Sequence, residues 1–543
     1  IEKIELSHVQ EIVKYVDQLH LFGLAKAEWT SFLAHFIGSK LQMNITVTPE
    51  SFANVDWAQE NAAVVELVGK AAEILAENKF ESTTECIKFI TEKAYLSNQY
   101  VTEENVELIA QVLDVLAKLD VLEQLLPNLV EFGMDKLGTN VEGDFTIVTS
   151  KDFETLAYMV REIQAFGAVE IYNNILRNEK YFYEGEFDLS HVINVIEALE
   201  DLAILAIDKP HLAQYVASKV NLGVQPSMEL LEAVDYSAEN AKLVEIVKAI
   251  DALMKNTHLT NLEFIYHWID EKGYKSAQYI NDENALLVAD LFELVSELQL
   301  LVPYAGEALD LAFLRVNQLH YLVDQLEGAQ VVEDLQAVAN IIRNLVEFEA
   351  IDLYYYGTTE QFKFDALRNA IDLALNLNIL KVKREETMAL VLNKALAKFG
   401  ANYQASEFEG IDWEAENATI LATYDAVVSL LQEMNVDNTA MVKAYFEQKL
   451  YMLAQYTNET TIGYAVEIID LVASLQELPI VIDEFALLGL SKVKGLDLSF
   501  LSEAIQNGEL TDDELVADIH KLADIARDYL EYDLYNMIYS NEY

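Results

Sequence analysis

Along most of the chain apolar residues recur at i, i+3, i+4 and i+7, the stripe of a helix half buried against neighbours. The stretches "IVKYVDQLHLFGL" from Ile12, "LVGKAAEILAENKF" from Leu67, "IAQVLDVLAKLDVL" from Ile109 and "MVREIQAFGAVEIY" from Met159 all carry it. Over the first third of the chain the pattern predicts helices near 5–20, 24–38, 57–77, 83–98, 103–120, 121–136 and 150–174. Breakers are scarce, 6 Pro and 19 Gly in 543 residues, so little of the chain suits the tight turns that sheets need. The expected fold class is all-α.

The pattern also returns on a longer scale. "VDWAQENA" from Val55, "VDYSAENA" from Val234 and "IDWEAENA" from Ile411 place an aspartate at 56, 235 and 412, spaced 179 and 177 residues apart. Pro127, Pro303 and Pro479 keep step at 176, and "EIY" ending at Tyr172 returns as "DLY" ending at Tyr354 and at Tyr535. "ELSHV" from Glu5 recurs as "DLSHV" from Asp188 and, more loosely, as "DALRN" from Asp365. These markers predict three tandem helical repeats, 1–183, 184–361 and 362–543, of about seven helices each. Within a repeat, similar helices return every 40–55 residues or so, roughly the period of stacked helical hairpins. The repeats are therefore expected to stack as an α-solenoid-like row, or as bundles joined end to end. The junctions "RNEKYFYEGEFDLS" and "YYYGTTEQFKFDA" are short and aromatic, unlike flexible linkers. Tyr172, Tyr354 and Tyr535 are expected to bury there between adjoining repeats.

Composition narrows the function classes. Apolar residues make up 52% and mean hydropathy is +0.11, enough for packed cores and too much for intrinsic disorder. Net charge is -55, from 91 acidic against 36 basic residues. Such a field repels nucleic-acid phosphates and anionic membranes, and attracts basic proteins and, weakly, divalent cations. The single cysteine, Cys86, excludes an internal disulfide. No segment is long and apolar enough to span a membrane. The chain starts at Ile1 rather than Met, which reads as a removed leader or as a piece of a longer protein.

The repeated motif concentrates acids, an amide and an aromatic as a small site would. Asp56, Asp235 and Asp412 each precede an aromatic and a helical run, the signature of an N-cap. Glu60, Glu239 and Glu416 lie one turn on, where the helix dipole favours an acid by a few tenths of a kcal/mol. Trp57, Tyr236 and Trp413 are expected to plug the helix start against the preceding segment. Asn61, Asn240 and Asn417 complete the motif, ahead of an alanine that permits close packing. A repeated carboxylate–amide cation site is the competing reading. The structural one prevails because every shared position has a job in starting or packing a helix.

Other chemistry is thin. Glu5-x-x-His8 and its second copy, Asp188-x-x-His191, each match half of a di-iron helix pattern, but the third repeat carries Arg368 where the histidine would fall. There is no His-Glu-x-x-His helix, Gly-x-Ser-x-Gly elbow, phosphate-cradling glycine loop or calcium loop. No cofactor and no metal ligand set are expected. The expected function is a non-enzymatic structural or adhesive repeat protein, displayed on a bacterial cell surface or secreted. Its partners would be proteins, through self-assembly or a basic partner. The rivals are an intracellular acidic scaffold for basic proteins and an enzyme whose site is built from dispersed residues.

Overall fold

A computed structural model describes residues 11–12, 14–15, 23–80, 82, 85, 88–89, 91–177, 185–220, 227–305, 326–399, 401–450, 453, 455–492 and 499–531. The expected positions Tyr535, Cys86 and His8 lie outside these. Among the described residues the regular structure is helical, with no strand. None of the helices is long and apolar enough to cross a membrane.

The chain divides into two compact units, Ile1–Tyr279 with Glu297–Glu307, and Ile280–Ser296 with Ala308–Tyr543. We number the long helices that pack in succession within each. In the first unit these are α1 (Trp57–Glu77), α2 (Glu103–Leu116), α3 (Ser150–Ala165), α4 (Ser190–Asp201) and α5 (Tyr236–Thr257). Each packs on the next, α1 on α2 through to α4 on α5. In the second they are α6 (Asp282–Ser296), α7 (Gly328–Glu347), α8 (Phe364–Asn376), α9 (Trp413–Glu433), α10 (Glu459–Ala473) and α11 (Asp512–Glu531), again each against the next. Further helices and 3-10 turns join them, among them Asp120–Leu137 and Leu478–Lys492.

Local chemistry explains the ends. Thr102 accepts the Asn105 N–H at 3.1 Å to open α2. Thr149 and Asp152 form a reciprocal capping box at α3. His258, in the left-handed region at φ 55, turns the chain out of α5. The expected single helix over 150–174 is broken, because Gly167 at φ 85 redirects the chain between Ser150–Ala165 and Ala168–Leu176. Small residues hold neighbouring axes close: Ala63, Ala110, Ala157 and Ala198 are buried on α1 to α4.

An arginine bridges three of these pairs and helps fix their register. Arg161 of α3 reaches Asp114 of α2 at 2.5 Å and Glu107 at 3.4 Å. Arg343 of α7 pairs with Asp290 and Glu293 of α6, and Arg527 of α11 with Asp470 of α10. These groups are substantially solvated, so each bridge contributes at most about 1 kcal/mol and its role is mainly alignment.

Candidate functional site: the clasp at three helix starts

The motif aspartates cap α1, α5 and α9. Asp56 Oδ1 accepts the N–H of Ala58 at 3.0 Å and Gln59 at 3.2 Å. Asp235 accepts from Ser237 and Ala238 at 3.2 and 3.1 Å, and Asp412 from Ala415 at 3.1 Å. Asp412→Ala removes this acceptor at an exposed helix start and should cost about 0.5–2 kcal/mol. A urea midpoint unchanged by the substitution would count against the cap.

The motif glutamates do something the sequence did not suggest. They are not solvated acids resting in a helix dipole. Glu60, Glu239 and Glu416 are 6%, 5% and 1% exposed. Glu60 accepts the Val121 N–H at 3.3 Å. Glu239 accepts those of Gln299 and Leu300 at 3.0 and 2.8 Å, and Glu416 those of Gln476 and Glu477 at 2.9 and 3.2 Å. A buried carboxylate thus satisfies backbone donors where the chain turns into the next helical segment, 60 or 61 residues downstream. The bond is returned. Asp120, Gln299 and Gln476 accept the backbone N–H of Asp56, Asp235 and Asp412 at 3.2, 3.1 and 3.0 Å, each across 64 residues. The result is a two-way clasp, identical in spacing in all three copies.

The remaining motif positions fasten the clasp to its surroundings. Asn240 Nδ2 donates to the Ile196 carbonyl of α4 at 3.0 Å, and Asn417 Nδ2 to the Leu375 carbonyl of α8 at 3.3 Å. Asn61 holds the same place on α1. A cation lies over each aromatic: Lys26 over Trp57 at 5.8 Å, Lys209 over Tyr236 at 5.9 Å and Arg384 over Trp413 at 4.5 Å. Burial raises the Glu60 carboxyl above its ordinary range, against the pull of the Val121 and Asp120 N–H groups.

The third copy has an electrostatic addition. Arg384 is buried, donates to Asn417 Oδ1 at 2.6 Å, and is surrounded by Glu477, Glu385 and Glu416. Trp413 Nε1 donates to Glu385 at 3.3 Å. Burial and the Glu416 charge push the Glu477 carboxyl up to about 7, with Arg384 opposing. Neither Arg384 nor Glu477 was singled out from sequence. The signal was available: Glu477 falls where the other clasps have Val121 and Leu300, and an acid there breaks the pattern.

The second copy has a void. Four residues before the motif aspartate stand Phe52, Leu231 and Phe408, all fully buried. Beside the smaller Leu231 lies an apolar pocket of about 410 Å³, with Leu199, Leu212, Val216, Tyr236 and Tyr304 in its lining. Leu231→Phe, which restores the residue of the other copies, should raise stability by about 0.5–2 kcal/mol. A lowered thermal midpoint would show that the side chain cannot turn into that space.

The junction tyrosines need correcting. Tyr354 is 81% exposed, and Tyr172 sends its hydroxyl to the Leu96 carbonyl at 2.7 Å, 76 residues before it. Among the described residues, junction phenylalanines stack on rings just past the preceding long helix, Phe187 on Phe166 at 5.6 Å and Phe362 on Phe348 at 6.0 Å. A phenyl ring has no hydroxyl to keep wet, so it is the cheaper ring to bury. His191 and Arg368 also differ. His191 Nδ1 meets Glu162 of α3 at 2.8 Å, whereas Arg368 pairs with Asp425 of α9 at 2.7 Å.

Among the described residues no group of three or more His, Cys, Asp or Glu side chains could hold a metal ion. No family model, curated protein or solved structure matches the chain.

Proposed function

We propose that the chain is a non-enzymatic structural or adhesive protein of three tandem repeats, 1–183, 184–361 and 362–543, working through protein contacts outside the cell or on its surface. The observation that carries this reading is the use made of the motif. In each copy the aspartate, the glutamate and the polar side chain 64 residues beyond the aspartate are engaged with backbone N–H groups. The groups that sequence offers as chemistry serve as architecture, three times over. A repeated clasp suits a chain whose task is to hold a fixed spacing. The strongly acidic surface keeps such a chain soluble and favours partners with basic patches.

The test is location. Intact source cells treated with a non-permeant protease should lose the chain while a cytosolic marker stays whole. Protection of the chain until the cells are broken would overturn the surface assignment in favour of the intracellular acidic scaffold.

A further inference from the structure

The polar side chains of the motif are engaged with backbone donors. A second polar set, in the first unit, is not. A cavity of about 600 Å³ opens between the last turns of the helix Asp120–Leu137, the loop that follows it and the turn after the helix Lys26–Leu41. All of its lining belongs to the described residues of that unit. Gln42, Asn44, Glu131, Asp135, Asn140 and Glu142 face it, and among the described residues none of these six side chains has a hydrogen-bond or ion-pair partner. Met43, Phe132 and Phe145 supply apolar wall.

The walls are held independently of any ligand. The helix ends on Gly138 at φ 67, a conformation that disfavours a side chain, and the N–H groups of Gly138 and Thr139 return to the Asp135 and Met134 carbonyls at 3.1 and 3.2 Å. The buried Thr139 hydroxyl donates to the same Met134 carbonyl at 3.1 Å. Farther along, the Glu142 N–H donates to Asp208 at 3.3 Å, and Gly143 passes so close to Ile207 that a Cβ would stand 2.9 Å from its carbonyl oxygen. Asp144 accepts the Thr146 N–H at 2.9 Å and closes the loop. Asn128, 4% exposed, ties the opposite wall: its Nδ2 donates to the Asn44 carbonyl at 2.9 Å and its Oδ1 accepts the Thr46 N–H at 3.4 Å. The cavity is preformed, as ligand sites usually are.

The repeat does not require these polar residues. Counted from the repeated proline, Asn128 corresponds to Tyr304 and Ile480, and Asp135 to Leu311 and Leu487. An amide and an acid therefore stand where the other two repeats carry apolar or aromatic residues.

The chemistry of the lining selects a ligand class. Three carboxylates and no basic residue repel phosphates, sulfates and carboxylates. The acids do not converge as a metal-holding group. The Phe132 ring already has the Lys136 ammonium over it at 5.1 Å. An ammonium or guanidinium ligand only donates, and would leave the N–H groups of three side-chain amides unanswered. A sugar hydroxyl both donates and accepts, so it can serve the carboxylates and the amides together, with its C–H face on the apolar wall. We propose that this cavity binds a short neutral saccharide, with Asn128 as a positioning residue for the Asn44 wall. The site goes beyond the protein contacts proposed above and does not rest on them.

The test is binding of the full chain to an array of neutral, sialylated and sulfated oligosaccharides, followed by calorimetric titration of the strongest neutral one. Neutral glycans should be retained and anionic ones should not. Glu131→Ala with Asp135→Ala removes two exposed carboxylates and should weaken the titrated glycan about tenfold or more, with an unchanged circular dichroism spectrum. Asn128→Tyr, the residue of the second repeat, releases the Asn44 wall and should weaken it too. Should either variant unfold, Asn140→Ala reads the same loss from one exposed loop side chain. A chain that retains no neutral glycan, or a titration indifferent to every variant that folds, would overturn the proposal. So would a cavity that takes spermine in place of the glycan and loses it in the double variant.

Discussion

Glu416→Ala should lower the unfolding free energy of its compact unit by about 2–5 kcal/mol, more than any other single truncation of a motif side chain. Its carboxylate is 1% exposed and is the acceptor for the N–H groups of Gln476 and Glu477. Removing it leaves two part-buried backbone donors without that acceptor, at up to about 1–3 kcal/mol each, with a cavity in addition. Glu416→Gln keeps one acceptor oxygen but turns an amide N–H toward a second donor, so it should fall between alanine and wild type. Urea denaturation followed by circular dichroism reads both. The comparison with Asp412→Ala decides between two accounts of the motif. If the glutamate served only the helix dipole, its loss would cost a few tenths of a kcal/mol, less than loss of the cap. A Glu416→Ala cost below that of Asp412→Ala would therefore defeat the clasp.

That contrast shows where the sequence was legible. Asp56, Asp235 and Asp412 could be read because capping is local: donor and acceptor lie two or three residues apart, and the residue type announces the geometry. The apolar period likewise located the long helices, α1 at Trp57–Glu77 on its expected bounds. Glu60 and its counterparts could not be read, because their partners lie 60 residues away and an acid in a first turn is ordinarily solvated. Burying it becomes affordable only when backbone donors are brought to it, which is a property of the packed chain. The spacing of Asp120, Gln299 and Gln476, each 64 residues past a motif aspartate, was nonetheless visible as a regularity. At the junctions, ring content was legible but not which rings bury. Of the aromatics in the second junction, Tyr354 is 81% exposed, whereas Phe362 stacks on Phe348 just past the end of α7.

Glu477→Gln should raise stability above neutral pH and leave it unchanged in acid. The ordinary glutamate value is 4.5, and in the folded chain burial and the Glu416 charge raise the Glu477 carboxyl to about 7. The folded state therefore binds more protons than the unfolded state between those values. By linkage, the stabilisation from the protonated carboxyl is fully present below the unfolded value and is lost as pH rises through the folded one. A shift of this size corresponds to about 2–3 kcal/mol lost by pH 8. Glutamine keeps the shape and cannot ionise, so its stability curve should be flatter across that window and should meet the wild-type curve below pH 4.5. Chemical denaturation of both chains across that range measures it. Wild-type stability that does not fall between those values would mean that Arg384 fully compensates the charge. The position explains why the two residues travel together. Val121 and Leu300 fill the corresponding place in the other clasps, where the cation over the aromatic is a lysine at 5.8 or 5.9 Å. In the third copy the cation is a buried arginine at 4.5 Å, whose desolvated charge requires acids close by. Glu477 meets that requirement in part, and the loss of stability above neutral pH follows from placing a second carboxyl beside Glu416.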